Sequence, residues 1–158
     1  HTDYIDLFQY ETENILPLPG GADGICAAFD SAVASGKVRH IGITTQNEKV
    51  AFALATGSSV FETLQYPFNL LTGEESLQIV SECAKNDVGF IAMKPLYSGL
   101  VQNIPLAFGF LHQYENVVPV WGVHTSDELQ QILYFASHPP VVDDKFRDEV
   151  AKMHDFFN

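Results

Sequence analysis

Apolar positions along the chain gather into five short β-rich runs, at 4–10, 38–44, 61–66, 88–93 and 117–123. Each run is close to continuously apolar rather than strictly alternating. That pattern predicts parallel strands covered on both faces. Between the runs, apolar residues repeat at helical spacing. Ile25, Ala28, Phe29, Ala32 and Val33 form one stripe within 23–35, and Gly36 stands where a helix stops. A short helix is predicted over 47–55, closed by Gly57. Thr72, followed by Glu74 and Glu75, opens another that ends near Asn86. Pro105 marks the first turn of a helix over 105–114. Thr125-Ser126-Asp127-Glu128 opens a fifth that runs to about Ala136, and after Pro139-Pro140 an amphipathic helix covers 143–157.

Strand starts 23 to 34 residues apart fit βα units of roughly 30 residues. Strict alternation of strand and helix predicts an α/β fold with a parallel sheet and right-handed crossovers. The two architectures that satisfy it are an open doubly wound sheet and a slice of a (β/α)8 barrel. Gly20-Gly21-Ala22-Asp23-Gly24 does not have the spacing of a dinucleotide-binding glycine fingerprint, and phosphate-loop, zinc-protease and nucleophile-elbow motifs are absent from the sequence. No linker or low-complexity tract divides the chain, so 1–158 reads as a single domain or part of one.

Composition narrows the function classes. Of 158 residues, 46% are hydrophobic and only 18% charged, below the ~25% typical of soluble domains, so apolar surface is expected. Eight basic against twenty acidic side chains give a net charge of -12, which argues against nucleic-acid and anionic-membrane partners. Cys26 and Cys83 form neither a CxxC pair nor a disulfide framework, so they read as helix packing residues in a reducing, cytoplasmic setting. Neither a membrane-length apolar run nor a signal segment is present in the sequence, and the histidines show no metal-ligand spacing. The chain starts at His1, directly before a strand, which reads as a trimmed end.

Chemistry in parallel α/β folds collects at the carboxyl ends of the strands. Those ends carry Glu11; Thr44, Thr45 and Gln46; Gln65 and Asn69; Lys94, Tyr97 and Ser98; and His124, Thr125 and Ser126. Together they describe a polar rim, although polar residues also follow strands simply because loops are polar. Gln65, isolated among apolar neighbours, has the donors and acceptor to recognise a carboxamide, or to satisfy nearby backbone. Lys94 ends an apolar strand, where desolvation would suit a Schiff-base amine; it can also hold an anion or extend into solvent. Glu11 is placed either as a partly buried proton donor or as a solvated loop residue.

Thr2–Gln9, Ser35–Thr44, Leu64–Leu71 and Gly89–Leu96, followed by Val118–Val123 and Asp127-Glu128-Leu129, resemble the aldo-keto reductase superfamily in order and spacing. The resemblance implies a (β/α)8 barrel that moves hydride between NADPH and a carbonyl, with this chain matching strands four to eight, the carboxyl-terminal half. The family's catalytic aspartate, tyrosine and lysine belong to the other half. By position, Glu11 stands in place of the catalytic histidine, a change that in a few members accompanies reduction of activated carbon–carbon double bonds. Thr44 and Thr45 fall where the nicotinamide-contacting serine and asparagine lie, and Gln65 on the carboxamide-binding glutamine. Met93 replaces a tyrosine that stacks on the nicotinamide ring. Lys94 borders the cofactor, and Leu96 to Gly99, Ser98 included, match the pyrophosphate loop. Gly122, in the last strand region, is expected among the cofactor-binding residues. His124, Thr125 and Ser126 lie where other members place a base for the 2′-phosphate, so NADP is expected with NAD as the alternative.

The wording around Phe8-Gln9-Tyr10 and Met93-Lys94-Pro95-Leu96 is similar to the branch that carries a ferredoxin-like iron–sulfur tail; such a cluster would belong to an intact parent and not to this chain. The resemblance thus implies an oxidoreductase acting on a small carbonyl or activated alkene, with this half gripping cofactor and inactive by itself. A non-catalytic nucleotide- or protein-binding module and a lyase using Lys94 are the alternatives. Five strands cannot close a barrel that takes eight, so exposed edges and a homo-oligomer are expected.

Overall fold

A computed structural model describes residues 2–57 and 60–157. Five parallel strands alternate with helices, as the pattern predicts: β1 (Ile5–Glu11), α1 (Ile25–Ala34), β2 (Val38–Thr44), α2 (Glu48–Thr56), β3 (Thr63–Pro67), α3 (Glu74–Lys85), β4 (Gly89–Met93), a 3-10 turn (Tyr97–Gly99), α4 (Ile104–His112), β5 (Val117–Pro119), α5 (Ser126–Ser137) and α6 (Asp144–Phe157). Strand order in the sheet follows chain order, β1-β2-β3-β4-β5.

Local chemistry sets the boundaries. Gly36, at φ 72°, ends α1; its N–H donates to the Val33 carbonyl (2.9 Å) and the Lys37 N–H to that of Ala32 (3.0 Å), a left-handed cap in which a Cβ would be strained. The Asn47 side chain caps α2 by accepting from the N–H groups of Lys49 and Val50, and Asn103 caps α4 by accepting from Leu106. Thr125 and Glu128 form a reciprocal capping box at the start of α5.

The chain divides into two compact units. One holds residues up to Tyr66 together with Gln78–Phe90; the other holds Pro67–Leu77 and the chain from Ile91 onward. In the first, β1 pairs with β2 and β2 with β3, all parallel. Phe8, Ile41, Tyr10, Ile43 and Leu64 share one face, which α1 covers: the Phe29 ring lies 5.9 Å from that of Phe8 and 5.7 Å from that of Tyr10. Ile43 and Leu64 are fully buried there. In the second unit, Leu70, Val101, Leu106, Ala107 and Phe146 form the core, edged by Leu96, Phe110, Trp121, Val150 and Met153.

Two expectations need correction. The strands of the first unit are not apolar on both faces: the face opposite α1 carries Gln9, Glu11, Thr44, Thr63 and Gln65. β1 is largely exposed, having β2 as its one strand partner in the described pairings. The alternation was masked because Tyr10, Ile43 and Leu64 sit between those polar positions. β5 ends at Pro119 instead of 123; the Val120 N–H still reaches the Ala92 carbonyl (2.9 Å), after which the chain leaves the ladder. No helix among the described residues is long and apolar enough to cross a membrane.

Candidate functional site

Three of the singled-out residues fall into one row. In the parallel ladder Glu11 is the Cα partner of Thr44, and Thr44 that of Gln65. In-register residues on neighbouring parallel strands point to the same face and stand about 4.8 Å apart. The row therefore presents a carboxyl, a hydroxyl and an amide side by side at the strands' carboxyl ends, on the face away from α1. Glu11 is exposed and Thr44 and Gln65 are half-buried. Below this row lies a second, Gln9–Gly42–Thr63, where Gln9 Nε2 and Thr63 Oγ1 are buried without a hydrogen-bond partner.

Thr45 plays a different part. It is 1% exposed, its N–H donates to the Gln65 carbonyl (3.1 Å), and its hydroxyl accepts from the Asn47 N–H (3.0 Å) and reaches the Glu13 carboxylate (3.5 Å). Its side chain belongs to the turn. Glu13, which sequence reasoning passed over, ties this turn down. Both its carboxylate oxygens accept from the Gln46 N–H (2.9 and 3.0 Å), and its backbone carbonyl accepts from Asn47 Nδ2 (2.7 Å). The loop after β1 is thereby fastened to the loop after β2. No local pattern announces a contact across 33 residues.

In the second unit Met93, Lys94, Pro95, Leu96, Ser98, Gly99, Val120, Gly122, His124 and Glu128 line a cavity of about 630 Å³. One wall is a backbone run of unusual hand: Lys94 (φ 56°), Tyr97 (46°), Ser98 (57°) and Gly99 (90°) all have positive φ. Only the last is a glycine, and left-handed backbone costs a side-chain-bearing residue on the order of 1 kcal/mol or more. Strain concentrated in a cavity wall is a feature of ligand sites. Lys94 is exposed, so the desolvation that a Schiff-base amine requires is not provided.

The other wall carries a built-in carboxylate. Glu128 accepts from the N–H groups of His124 (2.7 Å) and Thr125 (3.2 Å), and these bonds hold its carboxyl below the usual range, so it is ionised at neutral pH. The Thr125 hydroxyl accepts from the Glu128 N–H (3.2 Å), and Thr125 and Ser126 do not line the cavity. Lys94 is the only ammonium or guanidinium among the described residues that do.

Among the described residues, no group of three or more His, Cys, Asp or Glu side chains is placed to hold a metal ion. Cys26 and Cys83 are buried; burial pushes the Cys26 thiol up, and the Cys83 thiol up to about 12.

Comparison with known proteins matches residues 1–106 to the model of the aldo/keto reductase family. A Schizosaccharomyces pombe protein provisionally named an aryl-alcohol dehydrogenase is 35% identical over 85 residues, 51% of this chain and 26% of that protein. An aldo-keto reductase of Fusarium vanettenii is 28% identical over 110 residues, 66% of this chain and 29% of the other. In three dimensions, an aldo-keto reductase from Klebsiella pneumoniae in complex with NADPH matches with a TM-score of 0.76 at 16% identity, over 97% of this chain and 60% of that one. Aldose reductase from Giardia lamblia matches with a TM-score of 0.71 at 14% identity, over 96% and 62%. The matched segments thus span about a quarter of the curated relatives' length and about three-fifths of the structural neighbours'. With two-thirds of its length on the family model, the chain belongs to the aldo/keto reductase family.

Proposed function

We propose that this chain binds a reduced nicotinamide dinucleotide and serves a reductase acting on a carbonyl or activated alkene. The observation that carries this reading is the in-register row Glu11–Thr44–Gln65. It offers what a nicotinamide carboxamide needs: amide and hydroxyl groups able both to donate and to accept, beside an acid. The second unit independently offers what a phosphate-bearing segment needs, a cavity of about 630 Å³ edged by a left-handed loop, with Lys94 and Ser98 on its wall. NADPH bound to a structural neighbour supports the same class of cofactor. When bound, the reduced nicotinamide supplies the hydride. The chain's residues would orient it, and Glu11 would hold or pass a proton.

The 158 residues alone bind cofactor without turnover, because the family's aspartate, tyrosine and lysine have no counterpart at the positions that match here. Among the described residues, no group of three or more His, Cys, Asp or Glu side chains is placed to hold an iron–sulfur cluster, which on this reading would belong to an intact parent.

Titration with NADPH and with NADH, followed by nicotinamide fluorescence, tests the reading. Saturable binding is expected, weakened about tenfold by Gln65→Leu through loss of amide hydrogen bonds. Absence of saturable binding to both nucleotides would refute it. Nucleotide oxidation in the presence of a carbonyl panel would refute the claim of inactivity while leaving the binding claim intact.

A further inference from the structure

The strained loop of the cavity wall is held at its first residue by a side chain that does not line the cavity. Asn69 is 1% exposed. Its Nδ2 donates to the carbonyl of Lys94 at 3.1 Å, and the same carbonyl accepts from the Tyr97 N–H at 2.9 Å. The orientation of the amide is fixed from its other end, because Oδ1 accepts from the Leu71 N–H at 2.9 Å. A flipped amide would set N–H against N–H there and carbonyl against carbonyl at Lys94. The Asn69 backbone is fixed as well: its N–H donates to the Thr72 hydroxyl (3.0 Å) and its carbonyl accepts from the Thr72 N–H (3.0 Å).

Lys94 is the first left-handed residue of the 94–99 loop. Downstream, the N–H groups of Gly99 and Val101 both donate to the Leu96 carbonyl (3.0 and 3.1 Å), closing the loop on itself. The loop's internal bonds define its shape, and the bond from Asn69 anchors that shape to the buried turn at 69–72.

We propose that Asn69 is a positioning residue for the nucleotide: by clasping the Lys94 carbonyl it holds the 94–99 loop in the left-handed course that forms the cavity wall, and so sets cofactor affinity. The proposal rests on the cofactor reading above.

The test is Asn69→Asp, which keeps the size and the acceptor for Leu71 but turns an acceptor toward the Lys94 carbonyl. Two measurements are made below the melting transition of both proteins, so that global instability does not enter. Amide hydrogen exchange is expected to accelerate at Tyr97, Gly99 and Val101 and to stay unchanged in β1 and β2. The dissociation constant for NADPH or NADH is expected to rise about tenfold, in line with a lost buried hydrogen bond. If N69D does not fold, Asn69→Ser, which leaves room for a water, carries the same two measurements. Unchanged exchange in the loop, or unchanged affinity in a variant whose parent binds, overturns the proposal. A parent that binds neither nucleotide removes the cofactor reading itself, and the proposal with it.

Discussion

Gly42 lies between Gln9 and Thr63 in the second polar row, and a Cβ built there would stand 1.9 Å from Thr63 Oγ1 and 3.0 Å from the Thr63 carbonyl oxygen. The hydroxyl can turn away, but the carbonyl is part of the sheet and cannot. Gly42→Ala is therefore expected to destabilise the fold by about 1–3 kcal/mol in urea unfolding. Combining it with Thr63→Ala should recover only the part due to the hydroxyl, since the carbonyl contact remains, and that departure from additivity marks the two as direct neighbours. At Glu13, Glu13→Ala frees the Gln46 N–H and costs on the order of 1 kcal/mol, since the carboxylate is exposed and screened. Glu13→Gln keeps an acceptor and should recover part of it, with hydrogen exchange at Gln46 as the local readout. At Cys83 the sign of the pH effect follows from burial. An ordinary thiol ionises at 9.0 and this one at about 12. The unfolded chain therefore loses its proton first, and this group's stabilisation, complete below 9, drains away as pH rises toward 12. Melting temperatures across that interval should fall less steeply in Cys83→Ala.

Helix α5 brings a pH effect of opposite sense. Its capping carboxylate, Glu128, is held below the ordinary range by the N–H groups of His124 and Thr125. A depressed carboxyl contributes stability above its unfolded pKa and loses it as pH falls through the folded value. Acidification through and below the usual carboxylate range should release the first turn of α5, seen as faster exchange at His124 and Thr125, and Glu128→Gln should weaken that dependence. The helix boundaries were readable because their determinants are local: Asn47, Asn103, Thr125 and Gly36 each act within a few residues. β2 falls at 38–44, as its apolar run predicts. The left-handed turns at Lys94, Tyr97 and Ser98 were invisible, because none is the glycine or asparagine that signals such backbone. The end of β5 was overrun because Trp121 and Val123 are as apolar as a strand requires, while pairing stops earlier.

For the molecule as a whole, the family resemblance and the strand–helix alternation were legible in the residues, and Glu11, Thr44 and Gln65 emerged as one row only when the register was known. Thr45, singled out by position, is spent on the turn instead. Charge balance bears on cofactor preference. On the proposed reading, a phosphate in the cavity of the second unit would meet one ammonium, Lys94, and one ionised carboxylate, Glu128. NADPH should therefore bind less than about tenfold more tightly than NADH in parallel titrations. The face and edge of β1 leave Tyr4, Ile5 and Phe8 exposed, so sedimentation at rising concentration is expected to show self-association; a strictly monomeric boundary would contradict it.

The clasp between Asn69 and Lys94 also limits redesign. A segment transplanted over 94–99 from another member of the family would arrive without its anchor, which lies 25 residues upstream. Loop and turn must move as a pair, so a library that varies 94–99 alone explores mostly slack versions of the wall, whereas one that varies 69–72 alongside it can find new shapes that hold.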